Sequence, residues 1–431
     1  MQKHLKRLPR EILNLLFNLR DLAKQMNYNV FLVGGFVRDL MLGVENFDID
    51  IVLEGDGIDF SSTLAKKLNA HLIQHKRFGT ATVSLTGDHH IKIDIATARK
   101  ETYPKPASLP EVSFGSIKDD LARRDFSINA MAIDISKERF GQLVDFFHGK
   151  KDLKNKKIRI LHGLSFIDDP TRILRAIRFK ERYKFKLEKN TRDLLMVAIS
   201  RCMLNKVEKQ RLRDELILIF KEKNPTTCIL RIDNFCGLNF IHKNLKLDKI
   251  TKNLLYEVSR VTAWFGKKFP QKRLLDTWLM YLMILINKLS LKDINWVIDE
   301  FAFRKGEKIR IISYKKIIPR LINQLKKKDL ANSKIYKLLE PLSYEAILLI
   351  LAETKKPMVK KRIADFFTLY NGVHLCVGGH ELKSLGATPG PHFKKILDKA
   401  LWAKIDNKLK TKEDEIEFLK VQLLKNDNRC T

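Results

Sequence analysis

The stretch that decides the fold runs from Val30 to Gly55 and reads VFLVGGFVRDLMLGVENFDIDIVLEG. It opens with a short apolar run, residues 30–33, which predicts a buried strand. Gly34 and Gly35 break this strand and start a helical segment. A second strand is predicted over residues 47–53. The stretch therefore predicts a strand, a glycine turn with a short helix, and a second strand.

Two carboxylates lie two residues apart on the second predicted strand. Because side chains alternate between the faces of a strand, Asp48 and Asp50 share one face, while Ile49 and Ile51 point into a core. The two carboxylates are then roughly 6.5–7 Å apart at the backbone. At this spacing their side chains can converge on a hard cation such as Mg²⁺.

The helical segment between the strands carries Arg38 and Asp39, and Gly43 ends it. At its start, the Gly-Gly turn exposes backbone N–H groups where an anion is favoured. A phosphate cradle next to metal-binding carboxylates is typical of phosphoryl or nucleotidyl transfer. The alternative is a plain strand–turn–strand with a solvated acidic edge. The two motifs at this distance favour the functional interpretation.

The charge of the chain points to a polyanionic partner. Its 431 residues carry 82 Lys plus Arg against 50 Asp plus Glu, a net charge of +32. Such a surplus predicts contact with nucleic acid or with an anionic membrane. A basic surface kept for solubility alone is the other interpretation, although solubility does not require so one-sided a charge.

A membrane is the weaker of these partners. The longest apolar run, Trp278–Ile286, is far shorter than the roughly 20 residues that a spanning helix needs. The basic N-terminus leads into an amphipathic pattern over residues 8–26 rather than a secretory apolar region. The cysteines are odd in number, form no C-x-x-C pair, and so predict a reducing cytoplasm with neither a disulfide framework nor a zinc site: Cys202, Cys228, Cys236, Cys376 and Cys430.

A third carboxylate follows on a later strand. Helix is predicted over residues 59–69, and paired strands over 81–85 and 91–96, with Gly87-Asp88 in the turn between them. In the second of these strands Asp94 lies on the polar face. It is either plain solvent-facing alternation or the third member of a trio with Asp48 and Asp50, and the strand pattern does not decide between the two.

Residues 97–118 are rich in proline and are expected to form an irregular loop. The following Arg123-Arg124-Asp125 offers a fork of charge-assisted donors with one acceptor, which suits triphosphate and ribose contacts. A surface helix end with salt bridges is the alternative. Residues 131–147 are predicted to form a hairpin, and residues 149–152 a turn.

From about residue 166 the pattern is helical to the end, with breaks expected at the prolines 225, 270, 319, 341 and 357. A helix starts at Asp168-Asp169-Pro170. Asp169 and Arg172 lie one turn apart, so they are surface neighbours, and an ordinary ion pair is the alternative to a functional one. Arg175 and Arg178 follow at the same step.

Lysine clusters at 326–328, 355–356 and 360–362 are expected on solvated faces and could track a phosphate backbone. Glycines and prolines mark turns in Gly378–Leu397. This segment is either an anion site near Lys383, Lys394 and Lys395 or a plain helix–turn–helix connection. The sequence contains no His-Asp dipeptide, so no appended phosphohydrolase domain is expected.

Taken together, three motifs resemble the bacterial class II tRNA nucleotidyltransferases, the CCA-adding enzymes and their A-adding relatives, close to the bacterial poly(A) polymerases. They are GGFVRD…DIDIV, RRDFSINAMA and DDPTRILRAIRF, and they cover residues 30–180 densely. The C-terminal half resembles the family mainly in being helical and basic. Its Gly- and Pro-containing segment carries Glu381 where an acidic residue often stands.

The resemblance implies a role for each matching residue. Asp48 and Asp50 match the metal-binding pair and Asp94 the third carboxylate of a site for two Mg²⁺ ions. The nucleotide-binding residues are Gly34, Gly35 and Arg38 of the triphosphate loop; Arg123, Arg124, Asp125 and Asn129 of the nucleotide motif; and Asp169, Arg172, Arg175 and Arg178 of the helix that follows.

Asp169 and Arg172 match the two residues that pair with the incoming base in place of a nucleic-acid template. A carboxylate accepts from an exocyclic amine, and a guanidinium donates to a ring nitrogen or carbonyl. Cytosine and adenine both carry an amine beside an acceptor, whereas uracil and guanine do not present that pattern. The resemblance thus implies tRNA as the acceptor, and the base pattern agrees with CTP and ATP as the nucleotides.

The resemblance implies an α+β fold: an N-terminal palm with a small mixed sheet and helices, followed by an elongated all-helical region. The expected domains are a catalytic head over 1–150, a base-recognition neck over 151–225, a helical body over 226–330 and a tRNA-binding tail over 331–431.

Several functions stay open at this point: CCA addition or repair, addition of the terminal A alone, poly(A) synthesis, and non-catalytic RNA binding. Three carboxylates favour an enzyme over a binding protein, because they would repel RNA phosphates. The Pro-rich loop looks like that of a subgroup in which some members add only A, but it has Ala107 where other members have glycine. Oligomeric state is not indicated.

Overall fold

The computed structural model describes residues 2–45, 48–85 and 91–427. It divides into two compact units, Met1–Phe240 and Ile241–Thr431. Three features named above lie outside the described residues: the start of the second strand at Phe47, the Gly87-Asp88 turn, and Cys430. The predicted boundaries at 150, 225 and 330 stay predictions.

The first unit combines a sheet with helices. Its strands are β1 (Asn29–Val33), β2 (Asp48–Glu54), β3 (His71–His75), β4 (Thr80–Leu85), β5 (Ile91–Thr97), β6 (Arg99–Thr102), β7 (Glu111–Phe114), β8 (Ala132–Asp134), β9 (Gln142–Val144), β10 (Lys157–Ile158) and β11 (Lys186–Leu187). Its helices are α1 (Gln2–Leu5), α2 (Arg10–Gln25), α3 (Gly34–Leu42), α4 (Gly57–Leu68), α5 (Ile117–Ala122), α6 (Gly149–Lys154), α7 (Ser165–Asp168), α8 (Thr171–Tyr183), α9 (Lys189–Ser200), α10 (Lys209–Phe220) and α11 (Pro225–Cys236).

Seven of the described strands form one mixed sheet in the order β3-β4-β5-β2-β1-β8-β9. The pair β2–β5 is parallel, and the other neighbours are antiparallel. The central strands bury Ile49, Ile51, Ile93 and Ile95 on one face, as the alternation of their sequences predicts. The expected N-terminal mixed sheet with helices is therefore confirmed.

The second unit is helical. In the described part of Ile241–Thr431 there is no strand, and the helices are α12 (Lys249–Lys268), α13 (Thr277–Ile286), α14 (Leu291–Glu300), α15 (Lys305–Leu325), α16 (Asn332–Leu339), α17 (Tyr344–Glu353), α18 (Pro357–Asp365), α19 (Gly379–Ser384), α20 (Pro391–Ile405) and α21 (Lys412–Asp427). A π-helical turn, Phe366–Tyr370, follows α18. The expected helical C-terminal region is confirmed.

The apolar run at Trp278–Ile286 is the buried interior of the second unit: every residue of it is buried. Among the described helices, none combines the length and the apolar character that crossing a bilayer requires. The described cysteines are all free thiols.

Three local predictions are wrong. Residues 97–118 are not irregular throughout, because β6 and β7 pair there as a separate antiparallel ribbon from Arg99↔Phe114 to Thr102↔Glu111. Residues 149–152 are the start of helix α6 rather than a turn, because the Asp145 carboxylate accepts from the N–H groups of Gly149 and Lys150 and caps that helix. Helix α15 also continues through Pro319, where a break was expected.

Gly149 supports the part of the fold that carries Asn129. A methyl group on Gly149 would collide with the backbone oxygen of Ser127 and lie 2.7 Å from Cγ of Met131. Ser127 begins the 3₁₀ turn Ser127–Asn129, and its hydroxyl donates to Asp152 at 2.7 Å. The close approach of α6 to this turn therefore requires glycine.

Gly149→Ala should destabilise the protein by about 1–3 kcal/mol, because backbone atoms must move to admit the methyl group. The measurement is the free energy of unfolding in urea. Gly163→Ala is the matched control, since a methyl group there meets no atom within 4 Å; its effect should stay within about 0.5 kcal/mol. Equal effects of the two substitutions would contradict this account of the α6 contact.

Candidate active site

The parallel pairing of β2 with β5 gathers the predicted carboxylates. Asp50 and Asp94 are direct Cα partners, and Asp48 is the partner of Lys92. Because the register is fixed along both strands, Asp48, Asp50 and Asp94 share one face of the sheet. The register thus places beside Asp50 a carboxylate that comes 44 positions later in the sequence.

The glycine turn at the start of α3 lies against Asp50. Gly34 has φ +65°, and a methyl group on it would lie 3.6 Å from Asp50 Oδ2 and 2.6 Å from Arg124 Nη1. A methyl group on Gly35 would lie 3.8 Å from the same carboxylate oxygen. The left-handed backbone at Gly34 favours glycine. The expected helix start beside the carboxylates is therefore present.

Burial raises the pKa of Asp50 to about 6, with Arg124 opposing the rise and the like charges of Asp94 and Asp48 adding to it. A cation near these carboxylates would relieve this repulsion, which fits a metal site. Asp94 already has two partners, since Thr82 Oγ1 and Lys92 Nζ both donate to it at 2.6 Å.

Among the described residues, no three His, Cys, Asp or Glu side chains already stand together as a metal-binding group. The donor types and the strand register suit a hard divalent cation. Asp94 would have to exchange its contact with the Lys92 ammonium to join Asp48 and Asp50 around such an ion.

A cavity of about 500 Å³ lies beside the carboxylates. All eleven residues predicted to bind nucleotide line it: Gly34, Gly35, Arg38, Arg123, Arg124, Asp125, Asn129, Asp169, Arg172, Arg175 and Arg178. Asp50 and Asp94 line a neighbouring cavity of about 320 Å³, and Arg123 and Arg124 line both cavities. The fold thus brings together residues that lie up to 144 positions apart in the sequence.

Arg38 is held by a network inside the large cavity. Its Nε and Nη2 donate to Asp39 at 2.8 and 3.0 Å, and its Nη1 donates to Asn129 Oδ1 at 2.5 Å. Asn129 in turn donates to Asp125 at 2.9 Å. The guanidinium also lies 4.8 Å from the ring centre of Tyr183. Arg38 is therefore fixed in orientation before any ligand arrives.

Asp120 holds the two predicted phosphate-binding arginines. Arg123 donates to Asp120 Oδ1 at 2.6 and 2.9 Å, and Arg124 donates to Oδ2 at 2.8 Å. Burial of Asp120 favours its neutral form, but the charges and hydrogen bonds of the two arginines outweigh burial and lower its pKa. Arg123 also donates to Glu101 at 3.0 Å. The buried Nε of Arg124 has no hydrogen-bond partner among the described residues.

Arg175 is committed to protein carboxylates. Its Nε and Nη2 donate to Asp125 Oδ2 at 2.9 and 2.6 Å, and its Nη1 donates to Glu215 at 2.8 Å. Burial of Asp125 opposes ionisation, yet Arg175 and Asn129 hold its pKa below the ordinary value. In this arrangement Arg175 organises the wall of the cavity, and a bound anion would have to compete with two carboxylates for it.

Arg178 has looser contacts. It approaches Glu215 at 3.5 Å and Glu222 at 3.4 Å, and in the part of the chain that the structure describes its buried Nε has no hydrogen-bond partner. Burial lowers the pKa of Arg178, although Glu215 opposes that shift. The guanidinium lies 4.6 Å from the ring centre of Phe179. Its charge is thus less fully neutralised than that of Arg175, and it faces the cavity.

Asp169 and Arg172 lie one turn apart, with Arg172 Nε 3.9 Å from Asp169 Oδ2. Arg172 is buried: Nη1 donates to Ser165 Oγ at 2.7 Å, and Nη2 donates to the backbone oxygen of Arg123 at 2.8 Å. A guanidinium has five N–H groups, so three of its donors remain. The pair is therefore more than a surface ion pair, since one member is buried and both line the cavity.

Four residues that hydrogen-bond to the predicted site residues are absent from the sequence motifs: Glu101, Asp120, Arg211 and Glu215. Asp120 had a signal, because it precedes Arg123 and Arg124 by three and four positions on one helical segment. Arg211 and Glu215 come from α10, about 40 positions after their partners Asp169 and Arg175. No local pattern could identify those two.

Comparison with known proteins agrees with this arrangement. Residues 30–159 match the poly A polymerase head domain. The chain is 36% identical over 423 residues to an A-adding tRNA nucleotidyltransferase of Geobacter sulfurreducens, which covers 97% of this chain and 47% of that relative. The chain therefore spans about half the length of this relative.

Two other comparisons extend over nearly the full length of both chains. An A-adding tRNA nucleotidyltransferase of Halalkalibacterium halodurans is 33% identical over 418 residues, covering 94% of this chain and 91% of the relative. The solved Thermotoga maritima CCA-adding enzyme complexed with tRNA is 33% identical with a TM-score of 0.70, covering 98% of each chain. The chain therefore belongs to the class II tRNA nucleotidyltransferases, the family of the CCA-adding and A-adding enzymes.

Proposed function

We propose that this chain is a template-independent tRNA nucleotidyltransferase that adds or repairs the 3′-terminal CCA of tRNA from CTP and ATP. The observation that carries the proposal is the position of the Asp50–Asp94 pair beside the Gly34–Gly35 turn and the arginine-lined cavity. Carboxylates, an anion-binding helix start and a nucleotide-sized cavity then form one continuous site.

The proposed reaction is displacement at the α-phosphorus of the nucleotide. The 3′-hydroxyl oxygen of tRNA forms the new bond to phosphorus, the bond to the bridging β-phosphate oxygen breaks, and pyrophosphate leaves with that electron pair. The N–H groups at the start of α3 orient the phosphates, together with Arg38 and Arg124. The hydroxyl proton passes to solvent or to Asp94, the carboxylate expected nearest the attacking oxygen.

Enzymes of this family generally use divalent metal ions. We propose that the ions are two Mg²⁺ and that Asp48 and Asp50 would hold both, with Asp94 at the side of the tRNA hydroxyl. When bound, such ions activate the hydroxyl and neutralise charge on the phosphates. Asp50 supports this role, because burial and the like charges of Asp94 and Asp48 raise its pKa against the opposing effect of Arg124, and a bound cation would stabilise its ionised form.

The base would be read by Asp169 and Arg172. Asp169 Oδ2 lies 3.9 Å from Arg172 Nε, which is too far for a hydrogen bond. This oxygen can therefore accept a hydrogen bond from the amine of cytosine or adenine. Arg172 keeps donors for the neighbouring ring acceptor. The proposed partners are thus CTP, ATP and the 3′ end of tRNA, and we propose a cytoplasmic location from the free cysteines.

Addition of the terminal A alone is the second candidate. Its support is the pair of relatives named above, which are both A-adding enzymes at 36% and 33% identity. One incubation separates the candidates: purified protein, Mg²⁺ and labelled CTP or ATP with tRNAs ending at the discriminator base, after the first C and after the second C. Extension of all three supports CCA addition, and extension of the last alone supports A addition.

Absence of transfer to any of the three tRNAs would leave non-catalytic RNA binding. That alternative has the weaker support, because a binding protein gains nothing from three carboxylates on the face that RNA phosphates would approach.

The first prediction from this proposal concerns Asp50. Asp50→Asn should lower the transfer rate by at least about a thousandfold, because it removes a charge that the metal chemistry requires. The variant should keep its fold and its affinity for tRNA. The measurement is single-turnover AMP transfer, with circular dichroism and filter binding on the same samples.

Asp193→Asn is the control, since Asp193 is an exposed carboxylate in α9. It should leave transfer unchanged. Turnover by Asp50→Asn near the wild-type rate would remove this residue from the catalytic set.

Base choice supplies the second prediction. Asp169→Ala should reduce discrimination against GTP and UTP by roughly ten- to a hundredfold, because the loss of one buried partner costs about 1–3 kcal/mol. Arg172→Ala should do the same and also lower the melting temperature, since Ser165 and the Arg123 carbonyl lose their donor. The measurement is kcat/KM for all four nucleotides.

Arg192→Ala, at an exposed position, is the control. Unchanged selectivity in both variants would assign Asp169 and Arg172 to structural roles.

Salt dependence of tRNA binding is the third prediction. With a net charge of +32, the chain should lose at least about a hundredfold in affinity between about 50 and about 200 mM salt, as counterions compete for the phosphates. Filter binding measures this, and the melting temperature over the same range controls for unfolding. A flat response would mean that the charge surplus serves something other than tRNA.

A further inference from the structure

The two oxygens of the Asp169 carboxylate have different partners. Oδ1 accepts from the Thr171 backbone N–H at 3.1 Å, from the Thr171 hydroxyl at 2.6 Å and from Arg211 Nη2 at 2.7 Å. Within the described part of the chain, the one partner of Oδ2 is the distant Arg172 guanidinium, whose Nε lies 3.9 Å away. One oxygen is therefore saturated, and the other is free to accept a hydrogen bond from a ligand in the cavity.

Arg211 is the long-range member of this set. It lies on α10, 42 positions after Asp169, and its side chain is 20% exposed. Thr171 is a neighbour in sequence and would hold Oδ1 whatever the tertiary structure. Arg211 adds a charge-assisted contact that fixes the plane of the carboxylate, because a guanidinium is itself planar and directional.

The same guanidinium is anchored a second time. Arg211 Nη1 donates to the backbone oxygen of Ala107 at 3.2 Å. The φ of Ala107 is +63°, which is the left-handed conformation that favours glycine. Its N–H donates to the Ile167 carbonyl at 3.1 Å, and the residue is buried. The Pro-rich segment thus has an unfavourable backbone conformation at Ala107. The carbonyl of Ala107 accepts a hydrogen bond from Arg211.

These contacts form a short chain from the Pro-rich segment to the base reader: Ala107 carbonyl, Arg211 guanidinium, Asp169 Oδ1. Rotation of the Asp169 carboxylate would exchange the positions of its two oxygens or bring the carboxylate closer to Arg172. In the second case Asp169 and Arg172 would pair with each other, and neither would be available to the base. The contacts of Arg211 oppose that rotation. They keep Oδ2 toward the cavity as a hydrogen-bond acceptor of fixed direction.

We propose that Arg211 is a positioning residue that sets nucleotide selectivity by holding Asp169 with Oδ2 presented to the incoming base. This inference rests on the proposed function and extends it to a residue outside the recognised motifs. Its consequence is specific: loss of Arg211 lets the carboxylate rotate, so bases without an amine at that position are no longer rejected. The described contacts of Arg211 are with Ala107 and Asp169, not with the carboxylates proposed to bind metal, so the chemical step remains possible.

The test compares Arg211→Gln and Arg211→Lys with wild type. Arg211→Gln should lower the ratio of kcat/KM for ATP to that for GTP by about ten- to a hundredfold, with a smaller change in kcat for ATP itself. Arg211→Lys should recover part of that ratio, because a single ammonium can reach Asp169 but cannot also fork to Ala107. Melting temperatures show whether each variant is folded.

Arg213→Gln is the matched control. Arg213 lies on the same helix and pairs with its neighbour Asp214 at 2.9 Å, and it does not line the cavity. Its substitution removes the same charge and should leave the ATP-to-GTP ratio unchanged. A uniform fall of kcat/KM for all four nucleotides in Arg211→Gln, with the ratio intact, would overturn the inference and leave Arg211 with a merely structural role.

A binding experiment separates failure of this inference from failure of the proposed function. Calorimetric titration with ATP and with GTP measures base preference without any transfer. If wild type transfers nothing to tRNA, the proposed function fails, and the binding ratio still decides the role of Arg211: a ratio that falls in Arg211→Gln supports it, and an unchanged ratio overturns it.

Discussion

The parallel pairing of β2 with β5 is the constraint on which the site depends. It makes Asp50 and Asp94 direct neighbours and leaves Asp48 on the same face. A shift of the pairing register by one residue would turn each carboxylate into the core and each isoleucine toward the cavity. Such a register would bury charged groups and expose apolar side chains, so it would destabilise the sheet. The buried isoleucines of both strands therefore fix the position of the charges, so that the hydrophobic core determines the geometry of the polar site.

The second requirement is charge balance. The cavity holds many arginines, and most of them are already paired: Arg123 and Arg124 with Asp120, Arg175 with Asp125 and Glu215. These pairs pre-orient the guanidinium groups, so little ordering remains when a triphosphate binds. The unpartnered Nε atoms of Arg124 and Arg178 are the exceptions among the described residues. The guanidinium groups of Arg124 and Arg178 are therefore less completely hydrogen-bonded than that of Arg175.

The sequence predicts what local periodicity and spacing determine. Strands β1, β2 and β5, the helix start at Gly34 and the Asp169–Arg172 step follow from alternation, glycine breaks and helical repeat. The β6–β7 ribbon does not, because its residues are mostly polar and pair across a Pro-rich connection without an apolar pattern. The role of Arg211 could not be predicted from the sequence either, because its contacts with Asp169 and Ala107 depend on how α10 packs. The left-handed φ of Ala107 was equally unpredictable from the sequence, because alanine rarely adopts that conformation.

The most direct test of the account is a crystal structure of the protein soaked with ATP and Mn²⁺, with the metal located by anomalous scattering. The account predicts metal peaks bound by Asp48 and Asp50 and the triphosphate over the Gly34–Gly35 turn. It also predicts the adenine amine within hydrogen-bond distance of Asp169 Oδ2, with Arg211 still on Oδ1. Metal bound elsewhere, or an adenine that does not contact Asp169 and Arg172, would contradict the central claim that these carboxylates and the arginine-lined cavity form one nucleotide-transfer site.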